Sequence, residues 1–138
     1  GYKKSIFKFI PPGVDQNYFT KNYSSKTSFL KKHNLNENTF IILCVARWDP
    51  LKDHDTLLKA FSKSINKQPG KSVLILIGKG ITSNNNDLSK IIVRNKISEN
   101  SIFLFDSVEN LKEYFSMCDL KVLSSRGEGF PNVFSLQY

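Results

Sequence analysis

Phe40-Ile41-Ile42-Leu43-Cys44-Val45-Ala46, followed at once by Arg47-Trp48-Asp49-Pro50-Leu51-Lys52-Asp53, is the stretch on which the fold turns. Its seven consecutive apolar residues do not alternate with polar ones. A strand with one wet face alternates; a strand buried on both faces, as in a parallel sheet, does not. Outward from it the same unit recurs. Val73-Leu74-Ile75-Leu76-Ile77 closes on Gly78, and Ile102-Phe103-Leu104-Phe105 and Leu120-Lys121-Val122-Leu123 follow. A short strand at residues 7–10 precedes Pro11-Pro12-Gly13, a turn by composition.

Helical spacing fills the gaps. Leu57, Leu58, Phe61 and Ile65 share one face of a segment at 53–66, with Asp53 as N-cap and Pro69-Gly70 as the stop. Leu88, Ile91 and Ile92 mark a second helix, Leu111, Tyr114 and Phe115 a third, and residues 26–33 a weaker, earlier one. Residues 80–86, rich in Ser and Asn, read as a surface loop. Repeated strand–helix alternation predicts an α/β fold, a Rossmann-like doubly wound parallel sheet with helices on both faces. Ligands of such sheets bind beyond the carboxyl ends of the strands.

The 138 residues make one domain, and 40% hydrophobic content supports a core without disulfides. Cys44 and Cys118 lie in apolar stretches and read as buried thiols. Two histidines, His33 and His54, give no metal-ligand spacing. No leader and no membrane-length apolar run is present, so a soluble, cytoplasmic protein is expected. The net charge of +8 is carried by Lys, only three of the twenty basic residues being Arg. With abundant Asn, that bias fits a compositional origin, or a taste for phosphorylated ligands, anionic lipid or nucleic acid. The aromatics fall at core spacing and no RNA-binding signature occurs, which argues against nucleic acid. A peripheral contact with anionic headgroups fits a Lys-rich surface better.

The strand ends carry the candidate chemistry. Arg47 at the tip of the 40–46 strand and Lys52 at the mouth of the next helix can converge on a diphosphate, where the helix dipole already favours an anion. The competing reading is a solvated basic loop paired with Asp49, Asp53 and Asp55. His54 has no dyad partner in sequence and reads as a polar residue in the first helical turn. Gly78-Lys79-Gly80 lacks the third glycine of a dinucleotide fingerprint, but its small residues let backbone approach a ligand. Asp106-Ser107-Val108-Glu109 leads into a helix and can cap it or line a base pocket. Last comes Ser124-Ser125-Arg126-Gly127-Glu128-Gly129-Phe130-Pro131-Asn132. There a carboxylate stands in a glycine-flanked turn before a proline-opened helix, suited to sugar hydroxyls and phosphate oxygens.

In order, four segments resemble the C-terminal, donor-binding domain of the retaining group 1 (family 4) glycosyltransferases, one half of a GT-B architecture. They are Ile10-Pro11-Pro12-Gly13-Val14-Asp15 with Phe19; Val45 to Leu58 with Arg47 and Lys52; Leu76-Ile77-Gly78-Lys79-Gly80; and Asp119 to Val133. The resemblance implies a lead-in segment at residues 1–22 and a donor domain at 23–138, incomplete at its C-terminus. It implies a catalytic set of Arg47 and Lys52 on the donor diphosphate and Glu128 on the sugar hydroxyls. It also implies substrate contacts from Gly13, Gly78, Gly80, Gly129, Phe130, Pro131 and Asn132, with Asp106, Ser107 and Val108 near the base. Such enzymes retain anomeric configuration and usually need no metal, positive side chains taking that role. No cofactor is implied beyond the donor itself, a UDP- or GDP-sugar.

The chain departs from the family pattern where the second acid of its Glu-x7-Glu motif, associated with the ribose, falls on Leu136. A full-length hexosyltransferase of polysaccharide or glycolipid synthesis is expected, placed in the cytoplasm at the inner face of the cell membrane. Its N-terminal acceptor domain is missing here, so the 138-residue piece should not turn over. The alternative is a non-catalytic α/β nucleotide-binding or interaction module.

Overall fold

The computed structural model describes residues 20–127. The strand expected at 7–10, the Pro11-Pro12-Gly13 turn and the helix expected after Pro131 lie outside the described residues. The helices are α1 (Tyr23–Lys32), α2 (His54–Lys67), α3 (Asn86–Arg94) and α4 (Leu111–Met117), and the strands β1 (Phe40–Val45), β2 (Ser72–Ile77), β3 (Ile102–Phe105) and β4 (Leu120–Lys121). All strand pairs are parallel, in the order β3-β2-β1-β4. β1 and β2 pair over their whole length, from Phe40 opposite Ser72 to Val45 opposite Ile77.

Period-two alternation divides the apolar runs between two cores. Ile41, Leu43, Val73, Ile75 and Ile77 pack against Phe29 and Leu30 of α1 and Phe115 and Met117 of α4. Cys44, Ala46, Leu74 and Leu76 pack against Leu57, Leu58, Phe61 and Ile65 of α2 and Leu88 of α3. Helices thus cover both faces, which is why these strands need no polar side. Part of the Asn abundance is structural: Asn22, Asn85 and Asn110 are the N-caps of α1, α3 and α4, each side chain accepting first-turn N–H groups.

The winding reverses direction at β1. α2 and α3 carry the chain from β1 to β2 to β3 along one face; α4 then returns it along the other face to β4, on the far side of β1. Crossovers of one hand in opposite directions put their helices on opposite faces. The carboxyl ends of β1 and β4 therefore flank a topological switch point, the place where open α/β sheets bind ligands.

Asp119 fastens β4 to β1 at the opposite, amino end of the two strands. Its N–H donates to the Ile41 carbonyl (2.8 Å), and its carboxylate accepts the Ile41 N–H (2.8 Å) and the Lys26 ammonium (2.6 and 2.8 Å). β4 is shorter than the apolar run at 120–123. One more ladder bond, Val122 N–H to Leu43 carbonyl (2.9 Å), follows it before the chain bends toward the loop after β1. The 80–86 segment is not wholly a surface loop either: Ile81 is 0% exposed, inserted into the α2–α3 core.

Candidate functional site

At the exit of β1, the Arg47 guanidinium grips Asp49 Oδ2 through Nε (3.1 Å) and Nη2 (3.0 Å). Asp49 Oδ1 accepts the Leu51 N–H (2.9 Å), capping a 3-10 turn at Pro50–Lys52. That N–H first, then Arg47, holds the Asp49 carboxyl below the usual carboxylate range. Lys52 closes the turn. Asp53 follows in the left-handed conformation (φ 48°, ψ 51°) and caps α2 by accepting the Thr56 N–H (3.3 Å). Its Oδ2 takes Arg126 Nε (2.9 Å) and the Thr56 hydroxyl (3.0 Å). The Arg126 guanidinium is the main reason that the Asp53 pKa falls to about 2.

The exit of β4 is stitched onto this turn. Ser124 Oγ donates to the Lys52 carbonyl (2.8 Å), and the Arg126 N–H donates to the Leu51 carbonyl (2.9 Å). The two sides of the switch point are thus physically joined around Lys52. Arg47 stands at the exit of β1 paired with Asp49, and Lys52 closes the 3-10 turn that leads into α2. Asp55 faces elsewhere, pairing with Lys59 (2.6 Å) and Arg94 (2.5 Å).

His54 is buried, 3% exposed, with its ring 5.2 Å from that of Trp48 and no hydrogen-bond partner for either nitrogen. Burial lowers its pKa; the Ala46 carbonyl opposes the shift without reaching hydrogen-bond geometry, as do Asp53 and Asp49. It occupies the first helical turn as expected, but as a neutral core residue.

Gly78 and Gly80 make close approaches within the protein. A Cβ on Gly78 would stand 2.3 Å from the Ala46 carbonyl oxygen, and one on Gly80 (φ 83°) 2.9 Å from Trp48 Cβ. Packing against the exit of β1 accounts for both. Asp106 Oδ1 accepts the Gly80 N–H (2.6 Å), so the end of β3 braces the end of β2. Ser107 is exposed, Val108 packs onto the α1–α4 core, and the capping of α4 falls to Asn110. Gly13, Glu128, Gly129, Phe130, Pro131 and Asn132 lie outside the described residues.

Among the described residues no cluster of His, Cys, Asp and Glu could hold a metal ion. A cavity of about 860 Å³ opens at the other end of the sheet, beside Thr39, Phe40, Lys71 and Leu120. It lies away from the strand carboxyl ends and the mouth of α2. What residue reading missed is the Asp53–Arg126 pair, whose partners stand 73 positions apart.

Residues 25–135 match the family model of the glycosyl transferases group 1. A GDP-mannose-dependent alpha-(1-6)-phosphatidylinositol monomannoside mannosyltransferase of Mycobacterium tuberculosis is 30% identical over 73 residues, 53% of this chain but only 18% of that protein. The crystal structure of Anabaena HepE in complex with UDP and glucose superposes with a TM-score of 0.75 at 23% identity, covering 99% of this chain and 37% of HepE. WaaG, a glycosyltransferase involved in lipopolysaccharide biosynthesis, superposes with a TM-score of 0.74 at 14% identity, covering 97% of this chain and 36% of WaaG. The C-terminal domain of the Francisella tularensis group 1 glycosyl transferase LpcC gives 0.67 at 19%, covering 90% of this chain and 65% of that one. These likenesses, all below a quarter identical, concern the fold. The chain spans less than a fifth of the mannosyltransferase and just over a third of HepE.

Proposed function

The chain belongs to the group 1 glycosyl transferases, and from that premise we propose that it forms the donor half of an enzyme moving a hexose from a nucleoside-diphosphate sugar to a glycan or lipid-linked acceptor, with retention. One observation carries the reading. Arg47 at the exit of β1 and Lys52 in the turn before α2 border the switch point between β1 and β4, and the strand exit that leads toward Glu128 is bonded to the same turn. A diphosphate there meets a helix N-terminus and cations at once.

In this reading Arg47 and Lys52 offset the charge that the leaving diphosphate gains, without a metal. Glu128 accepts hydrogen bonds from the sugar hydroxyls, and the Gly129–Asn132 backbone lines the sugar. The relatives are named for different bases: a GDP-mannose donor for the mannosyltransferase, UDP with glucose for HepE. The diphosphate is what the two have in common, so it is the part transferred to this chain with most support. The acceptor side belongs to a second domain, and the 138-residue chain alone does not turn over. We place the reaction in the cytoplasm at the inner membrane face; no helix among the described residues is long and apolar enough to cross a membrane, and lysine-rich surfaces favour anionic headgroups.

Titration of the chain with UDP, GDP and their sugars, followed by NMR, tests this. Amide shifts concentrated at Arg47, Lys52 and Glu128 are the expected outcome; a flat response to every nucleotide overturns it.

A further inference from the structure

Two aspartates flank Lys52, and each divides its carboxylate in the same way. Asp49 uses Oδ1 to cap the 3-10 turn and Oδ2 to hold Arg47. Asp53 uses Oδ1 to cap α2 and Oδ2 to hold Arg126. Each guanidinium is thereby fixed to a backbone that is itself fixed. Arg126 comes from the other side of the switch point, 73 positions along the chain. It does not arrive on its side chain alone, because its N–H and the Ser124 hydroxyl bond the carbonyls of Leu51 and Lys52.

Arg126 binds Asp53 through Nε, its side chain is 71% exposed, and among the described residues its Nη groups make no hydrogen bond. A guanidinium anchored by Nε keeps both Nη donors available in a known direction, the arrangement that suits a phosphate oxygen pair. The Asp53 carboxyl, held at about 2 chiefly by Arg126, stays ionised near neutrality, so the anchor persists.

We propose that Arg126 is a third cationic ligand of the donor diphosphate, beside Arg47 and Lys52, and that Asp53 is the positioning residue that orients it. The proposal rests on the donor-site reading above and adds a residue to it. It also gives the Asp at position 53 a reason. Glycine would adopt the left-handed backbone more freely, but only a carboxylate can both cap α2 and hold the arginine.

The test is calorimetric titration of the 138-residue chain with UDP and UMP, and with GDP and GMP. Wild type is compared with Arg126→Gln, Arg126→Lys and Asp53→Asn, and the melting temperature of each is checked. Arg126→Gln should cut the preference for diphosphate over monophosphate about tenfold, the worth of a charge-assisted hydrogen bond, with monophosphate affinity kept. Arg126→Lys should restore part of that preference. Asp53→Asn keeps a capping side chain that tolerates the left-handed turn. By Coulomb's law alone, removing a negative charge beside an anion site tightens binding; loss of orientation weakens it. Weaker diphosphate binding by Asp53→Asn supports the positioning role, and unchanged or tighter binding overturns it. An unchanged diphosphate preference in Arg126→Gln overturns the role of Arg126 while leaving the donor site standing. A wild-type chain that binds neither diphosphate overturns the donor reading and this inference together.

Discussion

Gly78 lies so close to Ala46 that a Cβ built on it would stand 2.3 Å from the Ala46 carbonyl oxygen and 2.7 Å from the next amide nitrogen. Both obstacles are backbone, so no side chain can swing aside. The Ala46 N–H donates to the Ile77 carbonyl (2.9 Å), which pins the two strand exits together. Gly78→Ala should destabilise the domain by about 3 kcal/mol, measured by urea unfolding. A loss under about 0.5 kcal/mol would mean that the exits separate easily and that this edge is not rigid.

Asp119 serves two partners at the start of β4, and only one of them is charged. Asp119→Ala strands the buried Ile41 N–H, at a cost of about 2 kcal/mol. Asp119→Asn keeps an acceptor for that N–H and loses the Lys26 ion pair, whose groups are 21% and 19% exposed, so about 1 kcal/mol is expected. Equal losses in the two variants, read from chemical denaturation, would show that the ion pair and not the N–H bond matters.

What was legible in the residues, and what was not, follows from range. β1, β2 and β3 fall within a residue of their apolar runs because burial on both faces demands continuous hydrophobicity. α2 declares itself through Leu57, Leu58, Phe61 and Ile65, all buried. α1 was fainter, since it buries only Phe29 and Leu30. β4 ends early because Ser124 and Arg126 leave the ladder to bond the Lys52 and Leu51 carbonyls, partners more than seventy positions away with no local pattern. The Asp53–Arg126 pair and the burial of His54 were invisible for the same reason: each depends on which strand exit lies next to which.

Cys44 and Cys118 should be inert in the folded protein. Burial pushes the Cys44 thiol up to about 12 and the Cys118 thiol up to about 11. At pH 8 neither presents an appreciable thiolate fraction. A thiol reagent should label the native chain at a rate set by unfolding, and label both residues promptly in denaturant. Fast labelling of the native chain would contradict the two-core packing.

His54 should make stability fall on the acid side of neutrality. Its folded pKa lies below the ordinary histidine value because burial disfavours the cation. The unfolded state therefore binds a proton first as pH drops. The stabilising contribution is complete above about 6.5 and is lost as pH falls from there toward the folded pKa. His33 shifts the same way, through burial and Lys32, so the comparison is between variants. His54→Leu should flatten the stability profile between pH 7 and 5 relative to wild type. An identical slope would place the ring in contact with solvent.

Arg47 and Lys52 are the residues on which the donor reading depends most directly. Arg47 is 65% exposed and held at Asp49 by two bonds. A diphosphate must share or displace that carboxylate, so part of the binding energy goes into exchanging one anion for another. The net loss on removing either cation is then about tenfold in affinity, the lower end for a charged hydrogen bond. Arg47→Ala and Lys52→Ala should each show it for UDP or GDP, and wild-type binding should weaken as salt rises, because the site is open to screening. Inorganic pyrophosphate should compete with UDP on the wild-type chain and compete less on either variant. Uridine, which carries no phosphate, should bind all three alike. A variant that loses uridine and UDP in equal measure has lost the loop and not a phosphate contact, and that result would remove the diphosphate from this end of α2.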